Sequence, residues 1–472
     1  MRRFVQWVES PFINGNEKLQ KLARWFQEAH PHFPERLIGR DRLFEVMFGP
    51  DVPYREQAVY DHASLLLRLA EQFLAFLGYE QDGRAGERYL LSELAARDKG
   101  PLFEKAWGDA QEKMAEEPYR DTRYYLNSFL LEQSGDAFAG KNQNRAFHET
   151  LIRATQGLDV FYLASRLKSC CELFNRKHIV RTSFQPDLPE DLLAFIRQPD
   201  YAFLEVPSIA IYYEVLMLLT TSEHEQHYRS LLGLLDIHAA RFSRSEAYQM
   251  YAYAQNYCIR RINTGDSAYL EELFKLYCRL LDTGILMENG VLAHEHYKNV
   301  TTVGLRLGAY DWVARFLETY REKLPPEYRQ NAYSYNLSVY YYEQGQYREA
   351  MKLLQQVEFN DIYYHLSGKS VLLKIYYEID DQESLQYLKE AFRALLKRNR
   401  QVSGNHAETY NRFVSYLIKI NKLRKQKAHL SAQEFAARAE DLRQNLSATR
   451  GLPNGEWLKK KIEELTESSF AK

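Results

Sequence analysis

Three short clusters in this sequence carry the residue types of a ligand-binding or reactive site: Gly368-Lys369-Ser370, the His-Glu-Gln-His run at 224–227, and the His-Glu-His run at 294–296. A phosphate-binding loop needs a second glycine five residues before its Gly-Lys-Ser, so that backbone N–H groups can cradle the anion. Tyr363 stands at that position and no strand precedes it. A helix-borne zinc pair needs two histidines at i and i+4, facing one ion. His224 and His227 are three apart, while His294 and His296 are two apart and point to different sides of a helix. Adjacent acids such as Asp380-Asp381 and Glu463-Glu464 fit solvated turns and helix faces, and nothing isolates a general acid/base pair. Serine nucleophile elbows and Gly-rich dinucleotide loops are absent. No catalytic or metal-ligating residue is assigned, no cofactor is expected, and the chain is read as a non-enzyme.

The cysteines lead to the same reading. Cys170, Cys171, Cys258 and Cys278 show neither a CxxC nor a zinc spacing with histidine, so buried free thiols in a reducing cytoplasm are expected. The start, MRRFVQWVESPFINGNEKLQ, has two arginines but no apolar core of signal-peptide length, and the longest apolar tract, near 214–220, is too short to span a bilayer. A cytoplasmic location with no membrane partner is expected. Asn299, Asn336 and Asn445 head glycosylation sequons that all fall within predicted helices, so they are read as chance matches. With 62 Lys and Arg against 63 Asp and Glu, the net charge of -1 implies no globally acidic or basic partner.

The elements that would position any site are helices. With only 22 glycines and 14 prolines in 472 residues, breakers are few, and no run of alternating β-type segments stands out. Residues 17–29 place Leu19, Leu22, Trp25 and Phe26 on one face; 57–77 form a long patterned helix followed by a Gly-bearing loop; 86–97, 100–115 and 118–134 continue in kind. SGDAFAGKN at 134–142 reads as a break, and divides the chain into an N-terminal helical segment (1–140), a repeat region (141–440) and C-terminal capping helices (441–472).

Beyond that break the helices come in pairs, and residues 334–357 show why. Ser334, Leu337, Ser338, Tyr341, Gly345, Tyr347, Ala350 and Leu354 fall at the spacing of a helix–turn–helix unit in which a glycine makes the turn and an alanine lets the second helix close on the first. This unit resembles a tetratricopeptide repeat. Gly308-Ala-Tyr310-Asp-Trp-Val313 echoes its turn 37 residues upstream of Gly345, Tyr376 lies 35 residues beyond Tyr341, and Gly265-Asp266 heads a weaker copy. The resemblance is clearest over 295–400 and leaves 1–140 unassigned. Ser334 replaces the family's tryptophan, and Ser338 its glycine. It implies an all-α fold: an α-solenoid of antiparallel helix pairs, capped by a final helix in which Trp457, Ile462 and Leu465 cover the last repeat while the lysines face water.

The resemblance also implies a binding surface. In such arrays the first helix of each pair lines a concave groove that holds a protein segment, and here that face would show Lys298, Thr302, Tyr335, Val339, Tyr342, Lys374 and Tyr377. Val339 stands where a chaperone-tail clamp would want asparagine, so that partner is not favoured. The expected function is a protein-interaction scaffold. The alternative is a nucleic-acid or polyanion surface, because 397–427 sets Lys397, Arg398, Arg400, Arg412, Lys419, Lys422, Arg424, Lys425 and Lys427 against Glu408 alone.

Overall fold

In the computed structural model, all residues are described except 142–148, 180–183, 185, 222–223, 357–361, 399–403, 450–451 and 468–472. The fold is all-α: among the described residues there are 23 α-helices and one two-stranded ribbon. The ribbon pairs Met287–Glu288 with Val291–Leu292 through Asn289 and Gly290. Both turn residues have positive φ, the geometry that an Asn-Gly hairpin turn favours.

The chain forms two compact units, Met1–Ser169 with Asp187–Ile209 and Cys170–Pro186 with Ala210–Lys472. In the first, α1 (Arg2–Glu9), α2 (Glu17–Ala29), α4 (Arg40–Phe48) and α5 (Glu56–Gln81) enclose a core that includes Phe4, Val8, Leu22, Phe44, Met47, Leu66 and Leu69; the short α3 (Glu35–Ile38) leads into α4. A second cluster joins α6 (Ala85–Ala96), α7 (Gly100–Ala115) and α8 (Thr122–Lys141) through Leu91, Phe103, Met114 and Phe138. The long α9 (Glu149–Ile179) follows, assigned to the first unit as far as Ser169 and to the second from Cys170, and the short α10 (Glu190–Ile196) belongs to the first.

Two local expectations fail here. Helix α5 runs through Gly78 to Gln81 instead of ending at 77. The break expected at 134–142 is helical as far as Lys141, while residue 142 lies outside the described residues. Gly135 is not a turn residue: a Cβ there would lie 2.8 Å from the indole of Trp107, whose Nε1 donates to the Leu131 carbonyl at 3.1 Å. The glycine lets α7 and α8 approach, and Ser134 returns its hydroxyl to the Leu130 carbonyl within the helix.

The second unit is built from α11 (Pro207–Thr220) and α12 (His224–His238), followed by helix pairs. These are α13 (Arg244–Asn263) with α14 (Ala268–Asp282), α15 (His294–Arg306) with α16 (Tyr310–Arg321), α17 (Pro326–Glu343) with α18 (Tyr347–Gln356), and α19 (Ile362–Glu378) with α20 (Gln382–Arg398). Each helix packs on its pair-mate; α14 packs on α15, α16 on α17 and α18 on α19, and α15, α17 and α19 also touch in succession. All four first helices stop in the same way. Gly265, Gly308, Gly345 and Asp380 adopt the left-handed conformation, with φ of 99°, 77°, 73° and 57°. The next N–H closes back on the carbonyl five residues earlier: Asp266 to Arg261, Ala309 to Gly304, Gln346 to Tyr341 and Asp381 to Tyr376, at 2.9–3.0 Å. This double-bonded cap satisfies carbonyls that a helix end otherwise leaves open. Inside the pairs, small residues set the approach. Ala350 is fully buried, and a Cβ on Gly304 would lie 2.5 Å from Val313 Cγ2.

The unit ends with α21 (Gly404–Gln426), α22 (Ala432–Ala448) and α23 (Gly455–Glu467). Ser431 and Glu434 form a reciprocal capping box that starts α22, so position 441 falls inside a helix. Leu458, Ile462 and Leu465 of α23 join the core of α19–α22.

Candidate partner-binding surface

The reactive-looking clusters resolve into packing. Gly368, Lys369 and Ser370 lie inside α19, and the Ser370 hydroxyl donates to the Leu366 carbonyl. His224 bonds the Leu218 carbonyl through Nδ1, and His227 sits 2.7 Å from Glu214. His294 stacks on Tyr328 with centroids 4.3 Å apart, while His296 meets Tyr248 edge-on. No group of three metal-ligating side chains comes together among the described residues. The four cysteines are free, and all but Cys278 are buried. Burial pushes the Cys258 thiol up to about 11 and places it 3.2 Å from the Tyr228 hydroxyl.

The seven residues of the expected groove come from α15, α17 and α19, and the structure gathers most of them into two lysine–aromatic nests. In the first, Lys298 Nζ stands 5.4 Å above the ring of Tyr335 and 5.2 Å above that of Tyr364, and donates to Ser367 Oγ at 2.9 Å. The Tyr364 hydroxyl donates to the His294 carbonyl, so α15 and α19 meet directly at this level. Thr302 is exposed, and Lys298 and Val339 are half-buried. Tyr335 is buried.

In the second nest Lys374 is 6% exposed, 4.2 Å above the ring of Tyr342 and 4.0 Å from Glu343. Burial pulls its ammonium down to about 8, against the opposing pull of Glu343 and Glu378. Tyr342 and Tyr377 are buried as well. Tyr377 is covered by Arg424, 4.3 Å over its ring, and by the chain's own α23. Trp457 meets Tyr377 edge-on at 5.4 Å and donates its Nε1 to Glu378 at 3.0 Å, while Lys461 reaches the same carboxylate at 2.9 Å. Burial acts to lower the Lys461 pKa, but the hydrogen bonds to Glu378 and Glu464 outweigh it and hold it above its ordinary value. Sequence reasoning set the lysines of α23 in water; Lys461 instead has an 11% exposed side chain. Its position four residues after Trp457, on the same helix face, was the available signal. Glu378 was missed altogether, although it accepts from Trp457, Lys461 and the Tyr342 hydroxyl (3.4 Å) and so joins three helices.

The six cations assigned to the alternative surface divide evenly. Arg412 pairs with Glu408. Arg424 donates to the Tyr377 carbonyl and pairs with Asp380. Lys427 donates to the Leu465 carbonyl. Lys419, Lys422 and Lys425 are exposed, the first 5.4 Å above the Tyr416 ring. Of the other cations in that run, Lys397 is exposed, and Arg400 and the Arg398 side chain lie outside the described residues.

Compared with protein-family models, with curated proteins and with solved structures, the chain matches none. No helix among the described residues is long and apolar enough to cross a membrane.

Proposed function

We propose that the helix pairs from α13 to α20 form a tetratricopeptide-like array, and that the chain is a non-catalytic scaffold holding a protein segment along α15, α17 and α19. The observation that carries this reading is the seat of α23. An amphipathic helix already rests on the end of this row, at the close of α19, held by an aromatic ring on Tyr377 and a lysine on Glu378. A partner segment would use the part that α23 leaves, around exposed Thr302 and half-buried Lys298 and Val339. Preformed aromatic contacts there lower the ordering cost on the scaffold's side.

Affinity capture from native lysate, with and without nuclease and read by mass spectrometry, tests the reading when wild type is set beside Thr302→Arg/Val339→Glu. The variant should lose a nuclease-resistant protein partner while keeping its helical circular dichroism. Equal capture by both forms removes this surface as the site. Tyr335→Ala and Tyr342→Ala make poorer probes, because burying those rings contributes to the fold. The polyanion reading rests on Lys419, Lys422 and Lys425. It requires nuclease-sensitive capture that weakens steeply with salt and disappears when the three become glutamate.

A further inference from the structure

Helices α19, α20 and α21 enclose a cavity of about 290 Å³. Its apolar wall is Leu373 from α19, Leu385 from α20, and Val414, Leu417 and Ile418 from α21. Leu373, Val414 and Leu417 are almost fully buried, so the cavity reaches the core between the helices. Gln382, Gln386 and Lys389 on α20, with Asn421 and Lys425 on α21, complete the lining. On each of these two helices the lining residues recur three or four positions apart, the spacing of a single face. An apolar wall with a few polar groups that fix orientation is the form of a ligand pocket, and the volume is close to the lower end of the roughly 300–1,000 Å³ that such pockets span.

The polar groups select the ligand. No carboxylate is among the described residues that line the cavity. Lys389 is already engaged, donating to Gln386 Oε1 at 2.7 Å and pairing with Glu390 at 2.9 Å. Lys425 is exposed and ion-paired to no described residue. One turn back, Asn421 is held in a single orientation: its Oδ1 accepts from Arg424 at 3.1 Å and from Gln382 at 3.4 Å, and its Nδ2 donates to Gln382 Oε1 at 2.8 Å. An amide nitrogen carries two N–H groups, so one on Asn421 is left unused among the described residues. Asp380, which Gln382 also reaches, is paired with Arg424. One uncompensated ammonium and one spare amide N–H therefore lie a helical turn apart on an apolar cavity.

We propose that this cavity binds a small aliphatic monocarboxylate, with its carboxylate on Lys425 and Asn421 and its hydrocarbon against Leu373, Leu385 and Leu417. The carboxylate accepts from both donors, and the hydrocarbon displaces water from the apolar wall. A phosphate dianion would bring a second charge that the lining does not balance, since Glu390 takes that of Lys389. The site needs none of Lys298, Thr302 or Val339, so it stands or falls apart from the scaffold reading.

Equilibrium dialysis of the full chain against labelled octanoate tests this, with 1-octanol and octylamine as competitors of equal chain length. The wild type should bind octanoate at one site with a Kd below about 1 mM. The alcohol and the amine should displace it at least about tenfold less well than unlabelled octanoate, since neither supplies the anion. Lys425→Glu changes an exposed side chain, so it should keep the helical content and weaken binding about tenfold or more. Lys422 is exposed on the same helix but does not line the cavity. Lys422→Glu should therefore bind within about twofold of wild type, whereas the polyanion reading needs both lysines alike. Absence of saturable octanoate binding overturns the proposal. Equal displacement by the alcohol or the amine overturns it too, as does an equal loss from Lys422→Glu and Lys425→Glu, which would mark a general effect of charge.

Discussion

Helices α5 and α23 present similar chemistry in opposite circumstances. Each carries an aromatic residue with apolar and charged neighbours along one helix. On α23 that face is closed inside its own unit: Trp457 lies on Tyr377, Lys461 on Glu378, and Leu458 and Ile462 are almost fully buried. On α5, Leu67 and Leu74 are left open. The difference lies in what stands opposite. A helix face becomes internal when the fold supplies both an apolar surface and a partner for every polar group brought with it. Glu378 supplies that partner for α23 by accepting from two of its donors, the Trp457 indole and Lys461.

Removing Glu378 is the sharpest way to break the contrast. Glu378→Ala leaves Lys461, the Tyr342 hydroxyl and the Trp457 indole N–H without their shared carboxylate in a poorly hydrated site. We expect a loss of about 3–5 kcal/mol in chemical denaturation, the range found for breaking buried ion pairs. Trp457 should become more accessible to a fluorescence quencher, read against the same protein carrying Trp457→Phe. A loss below about 1 kcal/mol would mean that apolar contacts alone seat α23.

Lys374 tests the same nest with the opposite sign. Its folded pKa of about 8 lies below its ordinary 10.5, so between these values the unfolded chain binds more protons than the folded one. Stability from this group therefore rises as pH goes from about 8 towards 10.5, and its penalty is fully present below about 8. Lys374→Met, similar in length and uncharged, should stabilise the protein at neutral pH by up to about 3 kcal/mol. It should also flatten the rise between about pH 8 and pH 9.5, a window below the ordinary tyrosine pKa near 10. Parallel pH profiles for wild type and variant would show that Lys374 is better solvated than its burial implies.

Much of this architecture is legible in the sequence, and the reason is local. The all-helical class follows from scarce breakers and helical periodicity. The turns at Gly265, Gly308, Gly345 and Asp380 follow from residues tolerant of positive φ between two amphipathic runs. What is illegible depends on contacts distant in sequence. SGDAFAGKN looks like a loop because glycine and serine favour loops, and only the indole of Trp107 explains why Gly135 belongs in a helix. Tyr335, Tyr342, Lys374 and Tyr377 sit on the helices expected of them. Their burial could not be foreseen, since it depends on Tyr364, on Lys298 and on a helix some 80 residues further along the chain. The open positions of α5, Leu67 and Leu74, were hidden within a helix whose other face is equally apolar.

The two in-helix glycines offer a matched comparison between the units. Gly135 admits Trp107 in the first, and Gly304 admits Val313 in the second. Gly135→Ala and Gly304→Ala should each cost about 1–3 kcal/mol by overpacking, despite alanine's better helix propensity. Val313→Ala is itself destabilising, but the pair Gly304→Ala/Val313→Ala should fall short of the sum of its parts. Strict additivity would place the Gly304 effect in the backbone and not in this contact.

The smallest expected effects concern the repeated cap. Gly308→Ala and Gly345→Ala force a Cβ into the left-handed conformation, where neither meets a neighbouring atom within 4 Å, so strain is the only term and should cost about 1–2 kcal/mol at each site. Asp380 already occupies the equivalent position with a side chain, and it also accepts from Arg424 and Gln382. Asp380→Gly relieves the same strain while discarding those contacts, so its stability should stay within about 0.5 kcal/mol of wild type. Equal costs at 308 and 345 with near-neutrality at 380 would mean that one capping device serves three successive helix pairs with interchangeable energetics. Unequal glycine costs would instead show that neighbouring pairs constrain their turns differently, and the likeness of the caps would then be geometric without being energetic.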